Sequence, residues 1–208
     1  MTRKPIIGLI GGIGGGKSFV AALLVARGGF LIGGDPLGHE GLRESTIKAE
    51  VLAEFGSDLK KPDGEIDRRK LGAIVFNDPT RLRRLEAIVF PYIGRRVHDE
   101  IAKAQVSGPA RFIILDAAVL VEAGWKPMCD HVLFVDADRA VRLERVRRTR
   151  GWTDVELAVR EASQLPLDEK RKAADAMLDN SGAAAETAER LDAILRKWKL
   201  LPQSTTKR

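Results

Sequence analysis

Apolar residues along this chain follow two rhythms. Short unbroken runs at 6–10, 30–32, 112–116, 131–135 and 176–178 have the length of buried strands. Between them, apolar positions recur at helical spacing over 17–27, 44–55, 71–76, 80–89, 92–104, 138–150, 154–164 and 184–198. Gly28-Gly29 stops the first helical stretch, 62–69 is turn-rich, and Pro79 and Pro91 divide the stretches that follow. Strands alternating with helices predict an α/β fold with a parallel five-stranded sheet flanked by helices. The block between the second and third runs is too long for a minimal crossover. It reads as a helical insertion over the carboxyl edge of the sheet, where such folds bind ligands. The last residues, "PQSTTKR", read as a frayed tail.

Composition narrows the class. With 208 residues, 44% of them hydrophobic, the chain can bury one real core, which favours a single domain with insertions over a disordered chain. No apolar run approaches the roughly 18 residues a membrane span needs, and the opening residues lack a signal-peptide pattern. Cys129 is the single cysteine, and His39, His98 and His131 are scattered without zinc-ligand spacing, so a reducing cytoplasm is the expected setting. A net charge of +6 suits polyanionic partners, nucleotide or nucleic acid, or serves simple solubility.

Candidate chemistry begins with "GGIGGGKS", residues 11–18, between the first strand and the first helix. The segment matches G-x-x-x-x-G-K-[ST], a loop that cradles nucleotide phosphates. Gly11, Gly12, Ile13, Gly14, Gly15 and Gly16 would wrap backbone N–H groups around phosphate oxygens, which side chains would obstruct. Lys17 would reach the β- and γ-phosphates, Ser18 would offer its hydroxyl to Mg²⁺, and the helix N-terminus would face the same anion. Asp116, closing the third strand, can hold Mg²⁺ through water or simply cap a turn. The segment 138–150 carries six arginines, which fits a lid over a triphosphate or a solvated basic face that could touch RNA. The chain has no N-K-x-D segment of the kind that reads guanine.

Several stretches resemble the dephospho-coenzyme A kinases over nearly the whole length. They are "GLIGGIGGGKS", "DPLGHE", "DGEIDRRKLGAIVF", "LEAIVFPYI", "LDAAVLVEAGW", "CDHVLFVDA" and "QLPLDEKRKAADAMLDNSG". The resemblance implies one phosphate-loop kinase domain over 1–208, with a coenzyme-binding helical insertion at about 36–109 and an arginine-rich lid at about 139–166. It also implies Mg²⁺-ATP as donor and the ribose 3′-hydroxyl of dephospho-coenzyme A as acceptor, with no nucleic-acid or membrane partner.

By the same resemblance Asp35 orients the hydroxyl and accepts its proton, Lys17 and Arg145 meet the ATP phosphates, and Asn180 and Gly182 lie near the adenine. Arg68, Arg69, Leu120 and Glu122 fall on the substrate side. Blander readings stand beside these. Asp35 can be a helix N-cap, Arg68 and Arg69 can pair with Asp63 or Asp67, and Asn180 and Gly182 can form a strand-to-helix turn. The chain departs from the family pattern at Phe19, Gly33, His39, Phe90, Ala118 and Thr149. The rival functions are a kinase of another small acceptor, a non-catalytic nucleotide or coenzyme A binder, and, last, an RNA-binding protein, for which no aromatic stacking motif is present.

Overall fold

Each apolar run becomes a strand, and the two-residue alternation of a strand sorts its side chains to two faces. Residues 3–202 are described by the computed structural model; most of the tail expected to fray, 203–208, lies outside them. Five parallel strands are β1 (Ile6–Gly11), β2 (Gly29–Gly33), β3 (Phe112–Asp116), β4 (His131–Asp136) and β5 (Ala176–Asp179), in the sheet order β2-β3-β1-β4-β5. From β1 the chain first builds out to one side and then crosses to the other. The loop leaving β1 therefore sits at the reversal point where open sheets bind ligands.

One face of the sheet carries Ile6, Ile10, Ile113, Leu115, Val132 and Phe134, packed with Ile93, Val97 and Trp125. The opposite face carries Ile7, Leu9, Phe112, Ile114, Leu133 and Val135. It is covered by Val20 and Leu24 of α1 (Lys17–Ala26) and by Leu191 and Leu195 of α9 (Ala184–Lys197). A third cluster, built from Ile47, Val51, Phe55, Leu71 and Val75, gives the insertion a small core of its own.

Four helices build that insertion: α2 (Gly34–Gly41), α3 (Ser45–Phe55), α4 (Arg68–Val75) and α5 (Pro79–Val106). Where the proline spacing predicts two helices, α5 runs unbroken through Pro91 for 28 residues. An internal proline removes one helical hydrogen bond and costs about 3 kcal/mol. The cost is offset because the two halves bury different stripes. Leu82, Leu85 and Ile88 pack in the insertion core, and Ile93, Val97 and Ala104 pack on the sheet. Helix α2 is a glycine-rich octet with low intrinsic propensity. Its glycines permit close approach to α5: a Cβ on Gly41 would stand 2.9 Å from the Tyr92 ring. Glu40 of α2 accepts from the Tyr92 hydroxyl at 2.9 Å and Arg96 Nε at 2.8 Å.

The segment expected to serve as a lid forms α6 (Arg139–Arg150) and α7 (Asp154–Ala162), followed by α8 (Leu167–Ala173), which apolar spacing does not predict. Phe90 packs edge-on against Trp125 with ring centroids 5.7 Å apart, so an apolar residue at that position completes the core. Leu120, expected on the substrate side, is instead fully buried in the sheet-face core. It lies so close to β1 that a Cβ on Gly8 would meet its Cδ1 at 2.8 Å. Leu120→Ala is therefore expected to cost about 2–5 kcal/mol in stability by chemical denaturation. A loss below about 1 kcal/mol would contradict a packing role.

Candidate active site

The phosphate loop starts where β1 ends and finishes where α1 begins. Gly14 (φ 76°) and Gly16 (φ 92°) lie in left-handed conformations that suit glycine. Space requires it too: a Cβ on Gly14 would stand 2.6 Å from the Arg142 carbonyl oxygen, and one on Gly11 2.5 Å from that of Val135. Helix α1 has no side-chain cap and no acidic residue in its first turn. Its first N–H groups and its positive end are thus left for an anion.

Loop carbonyls are held from behind. Gly15 O accepts from Asn180 Nδ2 at 2.8 Å and Arg145 Nη1 at 3.2 Å, and Ile13 O accepts from Arg142 Nη1 at 3.3 Å. In a trans peptide the N–H points opposite the carbonyl, so the N–H groups of Gly16 and Gly14 are turned away from those partners. Arg145 Nη2 also donates to Asn180 O at 2.7 Å, and Asn180 Oδ1 accepts from Thr187 Oγ1 at 3.1 Å. Arg142 is buried, ion-paired to Glu161, and donates through Nε to Ala137 O at 3.1 Å.

A cleft of about 750 Å³ opens in front of the loop. Gly11, Gly12, Ile13, Gly14, Gly16, Lys17 and Ser18 line it, and so do Asp35, Arg145, Asn180 and Gly182. The sequence-predicted donor-side residues and Asp35 are thus brought together. Asp35 is not a helix cap. It occupies the second position of α2, whose N-cap is Gly33, and no side chain caps that helix. Asp116 lies at the carboxyl end of β3, in register with Leu9 of β1 and Gly33 of β2. Burial pushes its carboxyl above the usual range, the Lys17 ammonium opposes that, and the Asp35 carboxylate adds to it. Lys17, Asp35 and Asp116 therefore share one electrostatic neighbourhood.

Other expected residues lie elsewhere. Arg68 and Arg69 sit exposed at the start of α4 and do not line the cleft. Neither makes the expected ion pair: Asp67 accepts from the backbone N–H of Arg69 and Lys70 as the α4 cap, and Asp63 pairs with Lys61. Arg68 is near His39, whose imidazole is held below its usual pKa by burial and then by that guanidinium. Glu122 faces inward. Its Oε1 accepts from the Leu165 N–H at 3.1 Å and pairs with Lys170 Nζ at 2.8 Å.

Lys170 was missed at the level of sequence because α8 has no clear apolar period. Fully buried, it also donates to Ala118 O at 2.7 Å and Gln164 Oε1 at 3.1 Å, tying two cleft-lining residues to Glu122. Burial lowers its pKa, and the Glu122 carboxylate raises it. Arg142 was missed because it reads as one of six similar arginines; its spacing of three from Arg145 is the signal that puts both on one helix face.

A parallel five-stranded sheet flanked by helices, with this loop at its reversal point, is the fold of a phosphate-loop kinase. Comparisons narrow the class. The model of the dephospho-CoA kinase family matches residues 5–186. A dephospho-CoA kinase of Anaeromyxobacter dehalogenans is 41% identical over 91% of this chain and 90% of that protein. One from Thermobifida fusca is 38% identical over 94% and 95%. A crystal structure from Thermus thermophilus superposes with a TM-score of 0.79 at 35% identity, covering 94% of this chain and 98% of that one. The chain belongs to the dephospho-CoA kinase family. A shikimate kinase from Acinetobacter baumannii, at 15% identity and a TM-score of 0.55 over 95% of this chain and 96% of its own, shares the fold.

The clamp on Gly15 yields a test. Asn180→Ala is expected to lose about 1–3 kcal/mol and to weaken ATP binding. Asn180→Asp should be worse than alanine, because it sets a carboxylate against the Gly15 carbonyl. Denaturation and ATP titration on the same preparations check both, and an aspartate variant equal to wild type would contradict the clamp.

Proposed function

We propose the following division of labour for the reaction of this kinase, transfer of the γ-phosphoryl of ATP to the 3′-hydroxyl of dephospho-coenzyme A, giving coenzyme A and ADP. The observation that carries it is one cleft faced by both the phosphate loop and the Asp35 carboxylate. The loop N–H groups and the α1 N-terminus bind the donor phosphates, and Lys17 reaches the β- and γ-phosphates. The donor base lies along the β5–α9 connection, beside Asn180 and Gly182. Asp35 holds the ribose hydroxyl in line and takes its proton as the new P–O bond forms. Arg145, from the lid, neutralises charge that builds on the transferring group.

The acceptor enters from the insertion side, about 36–109, and the lid, about 139–166, covers the donor. A second hollow of about 230 Å³ shares Asp35 and Val119 with the cleft and is lined mainly by Leu42, Leu85, Val89 and Ile93. Its apolar wall suits the pantetheine arm, and Arg68 stands near its His39 rim. The residues present also fit Mg²⁺. Ser18 is exposed to the cleft, the Asp116 carboxylate makes no hydrogen bond to protein, and no cluster of three or more His, Cys, Asp or Glu occurs among the described residues. Such a sparse set of hard oxygens suits an ion that keeps its waters and binds substrate phosphates. Ser18 would hold it directly and Asp116 through water, and the ion would supply positive charge against the donor phosphates. No helix among the described residues is long and apolar enough to cross a membrane. On a separate ground, the single cysteine Cys129, we assign the reaction to the cytoplasm.

Two substitutions test the roles. Lys17→Ala should lower turnover by about a hundredfold or more with the fold intact. Near-normal turnover would refute the loop's role. Asp35→Asn should nearly abolish phosphorylation of dephospho-coenzyme A while ATP affinity and melting temperature stay near wild type, since the side chain caps nothing. Wild-type turnover in that variant would remove Asp35 from the chemistry.

A further inference from the structure

Four side chains stack across the mouth of the cleft. The guanidinium carbon of Arg160 on α7 lies 4.4 Å from the Trp152 ring centroid and 4.9 Å from that of Phe76. Arg150 covers Trp152 as well, at 4.7 Å. All four line the cleft. Arg150, Trp152 and Arg160 belong to the lid, whereas Phe76 closes α4 of the insertion. The stack therefore joins the lid to the acceptor side.

Stacking occupies the faces of a guanidinium and leaves its N–H edge free. Arg139 pairs with Asp154 and Arg142 with Glu161, and Arg145 is held on the donor side by loop carbonyls. Arg148 and Arg150 also line the cleft without a carboxylate partner among the described residues, but only Arg160 stacks on rings from both the lid and the insertion. Among the described residues no carboxylate pairs with Arg160, and the side chain of Arg160 makes no hydrogen bond to protein. Glu156, one helical turn back, feels the Arg160 charge without bonding to it; a guanidinium stacked in a cleft wall with its N–H edge unbonded suits an anionic ligand. On the donor side the loop, Lys17 and Arg145 already supply the phosphates. The anion left without a partner is the diphosphate of the acceptor, which leaves the ribose at the 5′ end, away from the 3′-hydroxyl at Asp35.

We propose that Arg160 binds the acceptor diphosphate, and that Trp152 and Phe76 are positioning residues that fix its plane. This rests on the kinase reading above. Steady-state kinetics on the wild type, Arg160→Gln, Trp152→Ala and Trp152→Phe test it. Arg160→Gln should raise KM for dephospho-coenzyme A by about ten- to a hundredfold, the scale of losing a charged hydrogen bond. KM for ATP should move by less than about twofold. Trp152→Ala should shift the acceptor KM in the same direction, by less, and Trp152→Phe should restore it by keeping an aromatic face. A melting curve for each variant separates these effects from unfolding. A rise in KM for ATP instead would overturn the proposal. So would a fall in kcat with both KM values unchanged, which would put Arg160 on the transferring phosphoryl. Unchanged kinetics in Arg160→Gln would reduce the stack to packing. A wild type that does not phosphorylate dephospho-coenzyme A would sink the kinase reading itself, an outcome distinct from active enzyme with an unaltered acceptor KM.

Discussion

The carbonyl oxygen of Gly15 is the point on which the site depends. It lies on a loop whose N–H groups, apart from that of Gly15, which donates to Gly12 O, are left for phosphate, so it is not satisfied by regular secondary structure. Asn180, from the end of β5, and Arg145, from the middle of α6, satisfy it. Three segments far apart in sequence meet there: the loop, the lid and the last strand. The Asn180 amide is itself aimed by Thr187 of α9, and its backbone N–H donates to Asp136 O at 2.8 Å. Fixing one carbonyl thus sets the loop's conformation, holds a lid arginine at the cleft, and puts the β5–α9 turn alongside.

The same arrangement explains what was legible in the sequence. Strands could be read because each is a short apolar run: β1, β3 and β4 are buried on both faces, as in a parallel sheet covered by helices, and the edge strands β2 and β5 keep the run although Phe30, Leu31 and Met177 are exposed. The phosphate loop could be read because glycine, lysine and serine at fixed spacing have few other uses together. Helix α2 was hard to read, since its glycines argue against a helix; Gly41 is what lets α2 lie against Tyr92. The continuity of α5 through Pro91 was hidden for the opposite reason. A local rule predicts a break, and burial on two separate cores overrides it. Leu120 and Glu122 were placed on the substrate side by resemblance alone. Nothing local distinguishes a leucine facing a ligand from one facing β1. Arg142, Lys170 and the Arg160 stack depend on partners far along the chain, so their roles appear only in three dimensions.

Charge needs a similar correction. A net +6 suggests a polyanion-binding surface, yet much of the basic character is spent internally. Arg142 and Lys170 are buried and paired, Arg171 bridges Asp136 and Asp168, and Arg27 reaches Asp192. Exposed ion pairs of this kind contribute little stability each, but buried ones fix geometry, since removing one partner leaves a charge without solvent. The basic side chains facing the cleft without a carboxylate partner, Lys17, Arg145 and Arg160 among them, are few, and they converge on one hollow rather than on an open surface.

Positional differences from the family pattern follow the same logic of compensation. Phe90 meets Trp125 edge to face, and Trp125 in turn fills the space beside Gly94, where a Cβ would stand 3.2 Å from its indole nitrogen. Gly33 serves as the α2 cap, where a Cβ would approach Pro36 Cδ at 3.0 Å. Proline there gives α2 its fixed first turn, and a larger residue before Asp35 would have to fit beside that ring. The single carboxylate in this stretch is therefore coupled to how tightly α2 starts. Asp35 stands on the first turn of a helix whose other end is held by Glu40 to Tyr92 and Arg96 of α5. The Asp35 carboxylate is thus carried by the insertion and the phosphate loop by the sheet. Because α5 passes through Pro91 without a break, it joins the two as one body, and the Lys170 contacts to Ala118 and Gln164 tie the end of the lid to the same wall.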